Sequence, residues 1–364
     1  RNGQVVVMSG PKKEIVDDFS EEKITNAIIK VTRKEEKVVY FLQGHGERDI
    51  NDTEAQGFSA ARETIEKQNY QVKAYNLAQE NELPEDATVI VSAGPKVDFF
   101  PNEEKLIREF LTSGGKFLLL VDPETEFDMS DFLAEYGLGL GQNVVIDASG
   151  LGQLFGLGAA APLVAEYADH PITEELAGVM TFFPLAQNIT TSESSLGYET
   201  VGLAKTSSRS WAEANLREGR ASFDEGEDVE GPLDLAAVAT HSAAEKSEET
   251  GKGEEEQEST DEEESSDREE SSESVQREAR FVLYGDSDFA TNAYFDAGAN
   301  GDLFLMTVSW LAEETDLIAI RAKDPENRRI EVTFSQSRLL FWGTVVLLPL
   351  ATLVLGISVW YRRR

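Results

Sequence analysis

Short apolar runs alternate with stretches of helical spacing through the first half of the chain. Runs of the first kind predict strands, and stretches of the second kind predict helices. The predicted strands are residues 37–42, 70–76, 87–92, 116–121 and 143–146, and the predicted helices are residues 58–68, 103–113 and 128–136. Continuous apolar strands separated by helices are typical of a sheet covered on both faces. The pattern therefore predicts an α/β fold with a mostly parallel sheet.

The pattern is looser in the second half. Short strands are predicted at residues 179–183 and 201–205, buried strands at 231–240 and 280–290, and a helix at 302–313. Residues 245–274 are dominated by Glu, Asp and Ser, and so few apolar side chains cannot offset the entropy of ordering the chain. We expect a disordered acidic insertion there. The two buried strands on either side of it are expected to be neighbours in one sheet.

Residues 339–361 carry no formal charge. A helix needs about 20 apolar residues to cross a bilayer, whereas a soluble helix of this length usually has a polar face. Aromatic rings prefer the headgroup zone, where Trp342, Trp360 and Tyr361 would lie. Together with Arg362, Arg363 and Arg364, they predict a C-terminal transmembrane helix with a basic tail that binds the lipid bilayer.

These patterns divide the chain into six parts. They are an N-terminal strand and helix segment (1–36), an α/β domain (37–150), a continuation or second α/β subdomain (151–244), the acidic insertion (245–279), the completion of the α/β domain (280–337) and the membrane segment (338–364). The sequence starts at Arg1 rather than at a methionine, so a preceding membrane helix is left open.

Composition narrows the possible locations and partners. The formal net charge is −35, which disfavours nucleic-acid binding, and the lack of cysteine excludes thiol chemistry. Basic residues flank both ends of the apolar segment, so the positive-inside rule leaves the orientation open. A cysteine-free, acidic body favours the extracytoplasmic side of the cell membrane. We therefore expect a single visible span in the inner membrane, with most of the chain outside.

Three polar clusters follow predicted strands, and ligands of open α/β sheets collect at such strand ends. Their candidate ligand-binding residues are His45 and Glu47, Asp122 and Glu124, and Asp286 and Asp288. One hypothesis makes His45 a general base oriented by Glu47 or Asp122. Another groups His45, Asp122, Asp286 and Asp288 around a hard cation. A structural interpretation, in which the clusters form turns and helix caps, is favoured over both hypotheses.

Other motifs add no chemistry. The glycine-rich residues 150–162 have neither the position nor the acidic partner of a dinucleotide-binding loop, and the sequence has no Walker A motif. The serines of residues 205–211 lack a nucleophile-elbow setting. No catalytic residue, metal ligand or cofactor is assigned.

Several motifs in order carry a family resemblance. They are KVVYFLQGHGERD, GGKFLLLVDP, HPIT, KTSSRSW, GPLDLAAVA, YGDSDFATN, DLFLMTVSWLAEE and LPLATLVLGISVWYRRR. Together they resemble the ABC-type uncharacterised transport system auxiliary family, whose gliding-motility members are called GldG. The resemblance implies an extracytoplasmic domain related to flavodoxin-like and amidotransferase-like folds. It also implies two flanking membrane helices and association with an ABC permease and ATPase, but it offers no catalytic residues, and the acidic insertion departs from the family pattern.

The sequence thus favours a membrane-anchored, non-enzymatic auxiliary subunit of an ABC-type transport or gliding-motility complex, with an extracytoplasmic binding domain. One alternative is a membrane-tethered hydrolase that uses His45, Glu47 and Asp122. The other is a sugar or peptide receptor, which would need a concave pocket lined by aromatic side chains.

Overall fold

The computed structural model describes most of the chain before the apolar segment. The described residues are 4–10, 12–16, 21–32, 37–150, 152, 158–216, 221–241, 278–312 and 363. Residues 245–277 of the acidic insertion lie outside this range, as do residues 339–361 of the predicted membrane helix, which include Trp342, Trp360 and Tyr361, and the arginines at 362 and 364. No helix within the described residues is both long enough and apolar enough to cross a bilayer.

Seventeen strands and six α-helices are described. The strands are β1 (Val5–Ser9), β2 (Lys12–Val16), β3 (Val38–Leu42), β4 (Gln71–Tyr75), β5 (Ala87–Ala93), β6 (Lys116–Leu120), β7 (Leu138–Leu140), β8 (Val144–Asp147), β9 (Leu163–Val164), β10 (Glu166–Tyr167), β11 (Thr181–Phe182), β12 (Ile189–Thr191), β13 (Glu199–Lys205), β14 (Ser210–Glu213), β15 (Val229–Glu230), β16 (Asp234–His241) and β17 (Ala279–Tyr284). The helices are α1 (Glu21–Thr32), α2 (Ser59–Lys67), α3 (Leu77–Glu80), α4 (Pro101–Thr112), α5 (Ser130–Glu135) and α6 (Asn300–Leu311). Short 3₁₀ turns follow at Glu174–Leu176 and Asp288–Ala290.

Ten strands form one large mixed sheet, and half of it is parallel. Neighbouring strands run in the order β4, β3, β5, β6 and β17, and each adjacent pair among them is parallel. Numbered along the chain, this order is 2-1-3-4-5, one of the two common orders of doubly wound sheets. The order reverses between β3 and β5, so the connections from these two strands lead to opposite sides of the sheet. A crevice therefore lies at their carboxyl ends.

The other half of the large sheet is antiparallel, so the prediction of a mostly parallel sheet was wrong for this part. Strand β17 pairs with β16, β16 with β13, and β13 with β10, all antiparallel, while β12 and β7 add to the same side. All five residues of β6 are buried, but Glu199, Val201 and Lys205 of β13 are exposed. A strand with one solvent-exposed face does not need helices packed on both sides. Antiparallel sheets commonly have one such exposed face.

The strands on either side of the acidic insertion are neighbours, as the sequence predicted. Strands β16 and β17 pair along their length, with Val238 opposite Val282. The insertion therefore connects two adjacent strands of the sheet, and both of its ends lie at the edge where β17 begins.

Apolar helices cover both faces of the parallel half. Alternate strand residues point to opposite faces, so Val39 and Phe41 pack with α2 and α6, whereas Ile90, Phe117 and Leu119 pack with α4 and α5. Burial of one large apolar side chain stabilises the fold by about 1.5–3 kcal/mol. These two layers hold the strand ends, and the loops that follow them, in fixed positions.

The first two strands form a small sheet of their own. Strands β1 and β2 make an antiparallel hairpin, and Ala27 and Val31 of α1 are buried. The predicted strand and helix segment thus contains a hairpin that the sequence pattern did not reveal.

Candidate functional site

The candidate site lies at the carboxyl ends of the parallel strands. Loops after β3, β5, β6 and β17 meet there, and backbone hydrogen bonds tie them together: Arg48 N donates to Ala93 O at 2.8 Å, and Gly94 N donates to Leu120 O at 2.8 Å. Gly94 has a φ of +69°, and a Cβ there would lie 2.7 Å from Ser287 Oγ. Only glycine allows this approach without strain.

Arg48 joins three of these loops. Its Nη2 lies 2.9 Å from Asp122 Oδ2 and 2.7 Å from Asp288 Oδ1. Its Nε donates to Ser287 Oγ at 3.1 Å, and Nη1 donates to Gln56. Asp122 also accepts hydrogen bonds from Ser287 N at 2.6 Å and Ser287 Oγ at 2.8 Å. One guanidinium therefore compensates two carboxylates and fixes the loops relative to one another.

Asp286 lies fully buried behind this ion-pair network. Its carboxylate accepts hydrogen bonds from Asp288 N at 2.7 Å and Phe289 N at 3.3 Å. Burial, followed by the charges of Asp122 and Asp288, raises the pKa of Asp286 well above its usual value. Burial and Asp122 also raise the pKa of Asp288, although Arg48 opposes this shift. Backbone hydrogen bonds to Asp286 and the ion pair of Asp288 with Arg48 therefore offset part of the cost of burying these carboxyl groups.

His45 lies in a second, more deeply buried cluster. Its Nδ1 is 3.3 Å from Glu47 Oε1, its Nε2 is 2.8 Å from Glu103 Oε2, and all three side chains are at most 2% exposed. Glu103 comes from the first turn of α4, where Oε2 also accepts a hydrogen bond from Phe100 N at 2.8 Å. The rings of Phe99 and Phe100 meet the imidazole edge to face, with centroids at 5.1 and 5.5 Å. The hydrogen bond to Glu47 raises the pKa of His45, with burial opposing it.

Glu124 is exposed and lines a cleft of about 310 Å³ beside Asp122. The described lining residues are Asp122, Pro123, Glu124, Thr125, Glu126, Phe127, Asp128, Gln142, Asn143, Val144, Gln187, Glu213, Ala214 and Leu216. Every charged side chain among them is acidic, and Phe127 is the one aromatic. The cleft therefore has the location of a ligand pocket, but its lining is acidic and amide-rich rather than the aromatic surface expected of a receptor.

The hydrolase and metal hypotheses fit this geometry poorly. Both ring nitrogens of His45 face buried carboxylates, so neither is presented to a substrate, and the Asp122 carboxylate is engaged by Arg48 and Ser287. Within the described residues, no group of three or more His, Asp or Glu side chains has an arrangement that could hold a metal ion. The charged side chains at the strand ends instead pair with one another.

Three residues that organise the site were not singled out by the sequence. Arg48 stands in the quoted motif that includes His45, but nothing in its spacing points to Asp122 or Asp288. Glu103 was expected only to favour the first turn of a helix, and its contact with His45 depends on how α4 packs. Gly94 was expected only to end a strand. The contacts of all three cross between loops distant in sequence, where a local pattern carries no signal.

Comparison with solved structures shows a fold that is shared at low sequence identity. The chain resembles the mmIFT52 N-terminal domain with a TM-score of 0.50 and 13% identity, covering 75% of this chain and 97% of that one. A ThuA-like protein from Bacteroides uniformis aligns with a TM-score of 0.39 and 12% identity over 76% of this chain and 91% of that one. No curated protein matches the chain. At these identities the first likeness describes the fold alone, and the second is too weak to support an argument.

A sequence match to a family model covers a similar share of the chain. Residues 36–308 match the family described as an ABC-type uncharacterized transport system. This range includes the entire large sheet and the candidate site. The match starts just before β3 and ends within α6. The chain therefore belongs to the ABC-type uncharacterized transport system family, as an auxiliary component of such a system.

Proposed function

We propose that the chain is a membrane-anchored, non-enzymatic subunit that works beside an ABC permease and ATPase, with its α/β domain outside the membrane. Family membership supports the transport role, and the uncharged residues 339–361 support the anchor. The lack of a Walker A motif means that the energy comes from another subunit. Gliding-motility complexes of the GldG type are one setting in which this role fits.

The observation that carries the non-enzymatic part is that the titratable side chains at the strand ends lie against one another rather than facing an open site. A general base must reach a substrate proton at about 2.6–3.2 Å. His45 already faces Glu47 and Glu103 at comparable distances, and Arg48 occupies the carboxylates of Asp122 and Asp288. A domain built in this way has rigid surfaces for a partner, and its doubly wound parallel half is consistent with a flavodoxin-like subdomain.

Affinity purification of the full chain from its native membranes in mild detergent tests the assembly. We expect a permease and an ATPase to be recovered with it in fixed ratio. A variant lacking residues 339–364 is the matched control, since it keeps the described α/β domain and loses the proposed anchor. Recovery of the full chain alone, or its partition into the aqueous phase without detergent, would overturn the proposal.

The acidic cleft supports a second function, that of a receptor whose ligand offers cationic or hydrogen-bond-donating groups. Its volume of about 310 Å³ lies at the lower end of small-molecule pockets. Isothermal titration with amino sugars and with lysine-rich peptides tests this function. Binding that weakens in the variant Glu124→Gln supports it, and heat signals equal to those of buffer contradict it.

A further inference from the structure

The cluster of His45, Glu47 and Glu103 links two separate elements of the fold. His45 and Glu47 belong to the loop after β3, and Glu103 belongs to the first turn of α4. Within the loop, His45 N also donates to Glu47 Oε2 at 2.7 Å. The described structure gives Glu103 Oε1 and His45 Nε2 no hydrogen-bond partner of good geometry, although Nε2 is only 2.8 Å from Glu103 Oε2. Buried polar groups in this condition call for a specific explanation.

The contacts of the imidazole fix how many protons the cluster holds. An ionised carboxylate only accepts hydrogen bonds, and a neutral imidazole has a single N–H. Because Nδ1 and Nε2 both face carboxylate oxygens, a neutral His45 between two carboxylates would leave one ring lone pair directed at a buried negative oxygen. The geometry is complementary only when two protons are shared among the three side chains, either as an imidazolium or as a neutral imidazole beside a carboxylic acid.

We propose that His45, Glu47 and Glu103 form a proton-operated latch that holds the loop after β3 against the start of α4. With both protons in place, Nδ1 faces Glu47 within the loop and Nε2 bridges to Glu103 on α4. Loss of one proton leaves a repulsive contact in a site that excludes water, where an uncompensated buried charge is costly. The latch opens at the contact between Nε2 and Glu103, because Glu47 lies in the same loop as His45 and is also held there by the backbone N–H of His45.

No other described side chain can take over the role of the imidazolium. Glu47 and Glu103 have no Lys or Arg within ion-pair distance among the described residues. From the loop after β5, Lys96 contributes its backbone N–H to His45 O at 2.8 Å, and Asp98 accepts from Asp128 N. On α4, Glu104 pairs with Arg108, and on the loop itself Arg48 pairs with Asp122 and Asp288.

The direction of the His45 pKa agrees with this arrangement. Glu47 and Glu103 raise it against the opposing effect of burial. A histidine whose pKa is raised by folding stabilises the folded state fully below the pKa of an unfolded histidine, about 6.5. That stabilisation is lost as the pH rises through the folded-state pKa. The latch is therefore closed in mildly acidic conditions and opens toward alkaline pH.

Opening of the latch is expected to affect the ion pairs of the candidate site, because Arg48 lies three residues after His45 in the same loop. Arg48 holds the loops after β6 and β17 through Asp122 and Asp288. A loop released from α4 is still held at Arg48, so we expect it to pivot there rather than unfold.

Imidazole NMR of the full chain between pH 5 and pH 9 provides the first test, since the chain has three histidines and the variants His170→Gln and His241→Gln assign the remaining signal. We expect His45 to titrate above an unfolded-peptide histidine. Each unit of difference corresponds to a tenfold change in the opening equilibrium. A His45 pKa at or below the peptide value would overturn the proposal.

Hydrogen exchange provides the second test. Backbone amides of residues 44–48, 100 and 102–104 should lose protection as the pH rises through the His45 pKa, after correction for intrinsic exchange. The loss should be absent in Glu47→Gln, whose amide nitrogen can donate to Nδ1 of a neutral imidazole while its carbonyl oxygen accepts from His45 N, so that no second proton is needed. His241→Gln is the matched control and should behave as the wild type. Protection that is independent of pH in the wild type would contradict the latch, whichever variants fold.

Discussion

The two edges of the parallel sheet use basic side chains in different ways. At the carboxyl edge, Arg48 binds the carboxylates of Asp122 and Asp288. At the amino edge, Lys37, Lys116 and Arg280 donate to the backbone carbonyls of Ala312, Glu278 and Trp310, respectively, beside a cleft of about 740 Å³. Arg48 compensates the charges of two other loops, whereas the cations at the second edge satisfy backbone carbonyls, including the last ones of α6, and the one ion pair among them joins Arg280 to Glu278, two residues away in sequence.

The two edges also shift the pKa of a histidine in opposite directions. His45 lies between two carboxylates, which raise its pKa. His170 packs edge to face on Trp310 with centroids at 4.8 Å, and burial together with Arg280 lowers its pKa to about 4. One residue type thus favours the protonated form at one edge and the neutral form at the other, because the hydrogen bond to Glu47 outweighs burial at His45, whereas burial dominates at His170 and Arg280 adds to it.

The largest expected effect is at Arg48. In Arg48→Met the carboxylates of Asp122 and Asp288 lose their cation while remaining mostly buried, so we expect a loss of about 3 kcal/mol in the free energy of unfolding at pH 7. Urea denaturation of the full chain measures it. Arg108→Met is the matched control, because Arg108 pairs with Glu104 and Glu135 on a more exposed surface, where such pairs contribute at most about 1 kcal/mol. Equal losses in the two variants would show that the carboxyl edge does not depend on charge compensation.

A smaller loss is expected from closing the space between the loops. Gly94→Ala should destabilise the chain by about 2 kcal/mol, since the residue has positive φ and its Cβ would meet Ser287 Oγ and Arg48 Nε. Gly178→Ala separates these two causes, because Gly178 also has a positive φ of +84° but nothing lies within 4 Å of its Cβ position. The difference between the two variants in urea denaturation gives the contribution of close packing at the site. No difference would mean that backbone strain alone matters.

The third effect is expected at the amino edge and depends on pH. A histidine whose pKa is lowered by folding stabilises the folded state above the unfolded pKa, and this contribution is lost as the pH falls toward the folded value of about 4. The variant His170→Gln should therefore lose less stability than the wild type between pH 6.5 and pH 4. Arg280→Met should raise the pKa of His170 in an NMR titration, because it removes a nearby cation. An unchanged pKa would exclude Arg280 as a cause.

The sequence predicted the parallel half well and the antiparallel half less well. Buried strands such as β6 give a continuous apolar run that local periodicity detects, whereas β7 and β12 are three residues long and owe their pairing to distant partners. The pairing of β16 with β17 was predicted because both strands are apolar enough to need a neighbour. Their antiparallel direction was not predicted, since residue type along a strand does not specify the direction of its partner.

By itself, the sequence determined the alternation of strands and helices, the acidic composition and the placement of polar residues at strand ends, because these follow from local periodicity and turn chemistry. Only the tertiary structure decided what those polar residues do. His45 has Glu103 as a partner because α4 packs beside β5, and Asp122 has Arg48 because the loops after β3 and β6 meet across the sheet. A charged side chain takes its role from the charges that folding brings within a few ångströms of it, and sequence spacing does not contain those distances.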